Sequence, residues 1–129
     1  RLEREHIIEL VLSGYHTGTK EALWQRIARE NPGLSWHHFG DLDPDGLEIA
    51  GHLIRKTGLP FQLCAMGVKE LQRFQTNAKP LEAPDRAKAE AMIKQGSSYS
   101  GILRYMLEHN CKLEQEIISW QVTRLESFL

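Results

Sequence analysis

Apolar positions along this chain follow two alternating periods. Over residues 20–30, Leu23, Trp24, Ile27 and Ala28 keep the three-to-four spacing of one helical face, and Asn31-Pro32-Gly33 ends it. Residues 35–40 form a short aromatic-rich run, which predicts a strand. Leu47, Ala50 and Ile54, supported by Ile49 and Leu53, predict the next helix. Asp43 suits its N-cap, Pro44 its first position and Gly58 its end. Residues 60–65 read as a further strand. Upstream, residues 7–13 are β-branched and apolar, and Gly14 closes them, so their second half predicts a buried strand. The loop that follows offers Thr17 or Thr19 to cap the first helix.

Beyond Met66 the pattern is helical, at about residues 68–74, 84–95, 100–110 and 112–127. A polar connection covers residues 76–80, and Gly96-Ser97-Ser98 interrupts the third-quarter helices. Strands alternating with helices at short intervals predict parallel βαβ units. The expected fold class is therefore α/β: a Rossmann-like parallel sheet with flanking helices and a C-terminal helical segment. Ligands of such sheets gather at the carboxyl ends of the strands.

Composition adds limits. A chain of 129 residues suits a single domain, and 41% hydrophobic against 26% charged residues is the ordinary globular balance. No apolar run reaches the roughly 20 residues of a membrane span, and the acidic N-terminus does not read as a signal peptide. The expected setting is cytoplasmic, with no membrane partner. Cys64 and Cys111 lack metal-type spacing and read as buried thiols. The net charge of −1 hides an asymmetry: residues 1–50 carry five Lys/Arg against nine Asp/Glu, residues 51–112 ten against five. An acidic centre beside a basic half suits phosphate contacts next to a cation site, or simply solvated helix faces.

The acidic centre is Asp41-Leu42-Asp43-Pro44-Asp45-Gly46, at the expected carboxyl end of a strand. Carboxylates this close repel one another, so they need a cation, hydrogen-bond donors or full solvation. A calcium loop would want an acid at its twelfth position, where His52 stands. Mg²⁺ fits better, because it takes one or two carboxylates and leaves the rest to water and phosphate. If extended backbone persists, Asp41 and Asp43 share a side and Asp45 enters the first helical turn. Adjacent His37 and His38 face opposite ways and do not suggest zinc. His16, in the loop after the neighbouring strand, lies near the same edge, as a ligand-facing residue or as a backbone hydrogen-bond partner. Gly14 and Gly18 lack the ending of a phosphate-binding Walker loop.

The stretch Gly40 to Gly46 resembles the Asp-x-Asp motif of Toprim domains. The resemblance is closer to the C-terminal Toprim-like domain of the nuclease subunit of the Wadjet anti-plasmid system, and to topoisomerase VI A subunits. Ser13-Gly14-Tyr15-His16-Thr17-Gly18, Lys79-Pro80-Leu81 and Lys112-Leu113-Glu114-Gln115-Glu116 extend it over about residues 9–118. It implies a Toprim-like fold and DNA cleavage dependent on Mg²⁺ or Mn²⁺. Asp41 and Asp43 would be the catalytic metal-binding pair, with Asp45 assisting and Glu114 or Glu116 nearby. Arg55, Lys56, Lys69 and Lys79, with His16, would contact DNA, and the other partners would be subunits of an SMC-like complex. The family's Glu ends an earlier strand, and Glu3, Glu5 and Glu9 do not fill that place. Residues 1–129 are therefore expected to be one Toprim-like domain from a longer protein, without the first strand and unable to cut alone. An edge left open in that way would favour a homodimer. Tyr15, Tyr99 and Tyr105 are expected to pack. The rival reading is a non-catalytic module that binds nucleic acid or a partner protein on the same fold. A phosphotransfer receiver would want a further Asp and a Lys on other strands.

Overall fold

The computed structural model describes residues 18–121, with side chains for residues 21–118. The strand expected within residues 7–13, the loop carrying His16 and Tyr15, and the end of the last helix lie outside the described residues. Helix α1 is Gly18–Glu30, followed by strand β1, His37–His38, and helix α2, Pro44–Thr57. Strand β2 is Gln62–Leu63, and helix α3 is Val68–Arg73. A 3₁₀ turn at Gln75–Asn77 leads through residues 78–82 to helix α4, Ala83–Lys94. Helices α5, Ser100–His109, and α6, Gln115–Gln121, complete the described chain.

The two strands pair in parallel, His37 opposite Gln62 and His38 opposite Leu63. Gln62 N donates to the Trp36 carbonyl (2.9 Å) and Cys64 N to that of His38 (2.8 Å). This is a βαβ unit with α2 as its crossover, as the alternating periods predict. The architecture is mixed α/β, a small parallel sheet flanked by helices in a Toprim-like arrangement. Both strands are shorter than the apolar runs that announced them. Pro60 lacks the N–H that would extend β2 backwards, and Ala65, at φ 54°, turns into the left-handed region just beyond it. After His38 the chain leaves β2, and Leu42 pairs instead with Leu113.

Helix α2 follows its sequence signals at both ends. Asp43 caps it, Pro44 opens it, and Gly58 closes it at φ 68° with its N–H on the Ile54 carbonyl. Its Leu47, Ala50 and Leu53 are fully buried. The Gln25 amide nitrogen of α1 donates to the Thr57 carbonyl (3.0 Å), tying α1 to the end of α2. Beyond α2, the helices pack in succession, α2 on α4 and α4 on α5. Their core joins Leu42 and Leu47 to Leu71, Met92, Leu103, Met106 and Leu113. Trp24 and Trp36 each meet Phe61 edge-on, with centroids 6.4 and 5.3 Å apart, which fastens α1 to the strand entrances. Tyr99 and Tyr105 pack against the core as expected.

Cys64 is buried, and burial pushes its thiol up to about 11, so it is an inert packing residue at neutral pH. Cys111 is only half-buried. The last helix starts later than the sequence suggested. Lys112 and Leu113 do not begin it, because their backbone is taken by antiparallel bridges to Lys79 and Leu42. Among the described residues no helix is long and apolar enough to cross a membrane.

Candidate functional site at the acidic turn

Leu42 is the pivot of this site. It is wholly buried, its N–H donates to the Leu113 carbonyl (2.8 Å), and the Leu113 N–H returns to the Leu42 carbonyl (3.0 Å). With Leu42 held inward, its neighbours Asp41 and Asp43 are left half-exposed on either side, as alternation along extended backbone requires. Asp43 is extended (φ −143°, ψ 170°), and its Oδ1 accepts the Gly46 N–H at 2.6 Å. Asp45 is already in the first turn of α2. Gly46 is needed for space: a Cβ there would overlap the Asp41 carbonyl.

The 112–116 stretch crosses this turn from 70 residues further along the chain. The Gln115 N–H, at the start of α6, donates to Asp41 Oδ1 (2.9 Å). Glu114 beside it pairs with Lys79 Nζ at 2.7 Å, both exposed. Glu114 is thus the chain neighbour of the residue that bonds Asp41. Glu116 lies in the first turn of α6 and is exposed.

Two lysines form ion pairs at and beside the acidic turn. Lys88 of α4 reaches Asp45 Oδ1 at 2.7 Å and Glu48 Oε1 at 3.2 Å. Its hydrogen bond to Asp45, with further help from Glu48, raises its pKa. Lys112 Nζ meets Asp85 Oδ2 at 2.7 Å, with side chains 19% and 16% exposed. That bond raises Lys112, and Glu82 and Asp43 add their attraction. Burial works against ionised Asp85, yet Lys112 and the Glu82 N–H overcome it and hold its carboxyl below the ordinary value. Asp43 goes the other way. Burial raises its pKa, the Gly46 N–H opposes, and Asp41, Asp45 and Asp85 add repulsion.

The question posed by the sequence thus has an answer. The carboxylates are stabilised by backbone N–H groups and by lysines of the basic half. Asp41 and Asp43 are the residues that would offer oxygens to a metal ion, but one oxygen of each already accepts a backbone hydrogen bond. Among the described residues no group of three or more His, Cys, Asp and Glu is placed to hold an ion. Lys112 and Lys88 carry the positive charge that an ion would bring.

The basic residues proposed for DNA divide between two ends. Lys69 is exposed in the first turn of α3, which follows the carboxyl end of β2. Arg55 and Lys56 are in the last turn of α2, about 18 Å along the helix from Asp43 at 1.5 Å per residue. His16 is outside the described residues. Sequence reasoning missed Lys88, Lys112 and Asp85 as members of the site. Lys112 stood in a quoted stretch, but its partner is 27 residues away, and no local spacing announces such a pair.

No curated protein matches the chain. A protein-family model does: the description "Wadjet protein JetD, C-terminal" fits residues 1–126. With the Asp-x-Asp turn, its 112–116 partner and the parallel sheet all in place, the chain belongs to the family of C-terminal domains of the Wadjet protein JetD.

Proposed function

We propose that this domain is a non-catalytic DNA-binding module on a Toprim-like fold, acting within a Wadjet assembly. The observation that carries the reading is that each aspartate of the acidic turn already has a partner within the chain. Lys88 holds Asp45, and the backbone N–H groups of Gln115 and Gly46 hold Asp41 and Asp43, while Lys112, bonded to Asp85, adds its attraction to Asp43. Meanwhile Lys69 and Arg73, one helical turn apart on α3, are exposed, with the Arg73 guanidinium 5.0 Å over the Phe74 ring. Exposed cations attract a phosphate backbone, and their contribution falls with salt. DNA and the other subunits of an SMC-like complex are the partners that follow. Anisotropy of a labelled short duplex is expected to show binding that weakens steeply with salt, weakens further in Lys69→Ala/Arg73→Ala, and survives Asp41→Ala/Asp43→Ala. Binding that vanishes with the aspartates would overturn it.

A second reading, metal-dependent DNA cleavage by the full-length protein, is favoured by Asp43. Asn would cap α2 as well, yet a carboxylate is kept where burial and three other carboxylates oppose its charge. A further acid from outside the described residues would then complete the ligands. The test is plasmid degradation with Mg²⁺ or Mn²⁺ by the full-length protein, expected to be lost in Asp41→Ala/Asp43→Ala. Unchanged cleavage in the double variant removes this reading.

A further inference from the structure

A cleft of about 330 Å³ opens between α3, the 78–80 segment and the end of α5, lined by Leu71, Gln75, Lys79, Tyr105, His109 and Asn110. That volume is at the small end of ligand pockets. It suits one planar ring rather than a large ligand.

The cleft contains a prepared stacking surface. Tyr105 and His109 lie one turn apart on α5, and their rings stack at 3.9 Å with an interplanar angle of 18°. The Tyr105 carbonyl can only accept, so the 3.1 Å contact makes His109 Nδ1 a donor and fixes the ring orientation. Tyr105 is packed against the core on one side, and His109 is exposed on the other. An aromatic face is thereby held outward at little cost in side-chain entropy. Asn110, in the left-handed region at φ 50°, is fixed as well. Its Oδ1 accepts from the Leu81 N–H (3.1 Å) and from Arg86 (2.7 Å).

The charge around the cleft points to an anionic ligand with an aromatic ring. Lys79 stands at its wall, with its side chain 58% exposed. Lys79 is bonded to Glu114, whose neighbour Gln115 holds Asp41, so the cleft adjoins the acidic turn through one continuous chain of contacts. An exposed lysine beside an exposed ring is a pairing that holds unpaired nucleic acid. Duplex DNA keeps its bases stacked and cannot offer one to this cleft.

We propose that the cleft receives a single unstacked base of single-stranded DNA, which stacks on His109 while Lys79 turns from its exposed partner Glu114 to the adjoining phosphate. The proposal rests on the DNA-binding reading and adds strand state to it. Its test compares labelled oligothymidylate with a labelled duplex, using the whole chain and its His109→Ala and His109→Phe variants. His109→Ala is expected to weaken oligothymidylate binding at least about fivefold, the effect of losing one base stack, with duplex affinity unchanged. His109→Phe, which keeps an aromatic face, is expected to restore most of it. If both DNAs bind and neither responds to His109→Ala, the cleft assignment is wrong while the DNA-binding reading stands. Equal losses on both DNAs also overturn it, since a stacking site discriminates strand state. If the unaltered chain binds neither, the functional reading fails, and this one with it.

Discussion

Lys112→Met removes the cation that faces Asp85 and Asp43 while keeping the length of the side chain. The lost bond is 2.7 Å long, and its partners are 19% and 16% exposed. An exposed pair contributes about 0–1 kcal/mol, whereas removing one partner of a deeply buried pair costs roughly 3–5 kcal/mol. With four-fifths of each side chain covered but a rim still wet, the expected loss is about 2 kcal/mol. For a chain of this size that is a fall in melting temperature of about 8 °C. The pH dependence is diagnostic. Lys112 and the Glu82 N–H hold the Asp85 carboxyl below its ordinary 3.8, so the pair stabilises the native state above that pH. The stabilisation disappears as pH falls through the lower folded value. Urea unfolding from pH 7 down to pH 3 should therefore show a shallower acid limb in Lys112→Met than in the unaltered chain. Asp85→Asn supplies the control. In its background Lys112→Met should cost far less, since the stranded charge is gone. A loss under about 0.5 kcal/mol, or an equal loss in both backgrounds, would falsify the electrostatic account of this junction.

Three further outcomes follow from the same geometry. Asp43→Ala should lower stability at neutral pH by about 1 kcal/mol through loss of the α2 cap, whereas Asp43→Asn keeps the cap, relieves the repulsion and should raise stability. Because the Asp43 pKa is raised, its contribution improves as pH falls, so the advantage of Asn should shrink in acid; chemical denaturation at two pH values tests both signs. Gly46→Ala drives a methyl group into the Asp41 carbonyl and should cost about 3 kcal/mol or more, read by thermal unfolding; a neutral result would mean that the turn is looser than described. Asn110→Ala removes the acceptor for the Leu81 N–H and Arg86 and leaves a strained φ; a loss of about 2 kcal/mol in urea is expected, and Asn110→Gly should recover part of it.

Much of the frame is local, and the sequence by itself determined it. Asp43, Pro44 and Gly58 mark the ends of α2 because capping, proline's fixed φ and glycine's access to positive φ act within a few residues. Helical periods located α1, α3, α4 and α5 for the same reason, and the βα alternation specified parallel pairing. The Asp-x-Asp turn was legible as a site because repelling carboxylates at a strand end demand partners. What those partners are was decided only by the tertiary structure. Lys88 meets Asp45 across 43 residues, and Gln115 meets Asp41 across 74. The start of α6 moved for the same cause, since bridges to Leu42 and Lys79 outcompete the helical preference of residues 112–113. The length of α2 sets Arg55 and Lys56, expected as DNA contacts, at the opposite end of the helix from the turn. Pair energies of this kind depend on distances that only the folded chain sets, so a sequence can show that charge must be neutralised there without showing by which residue.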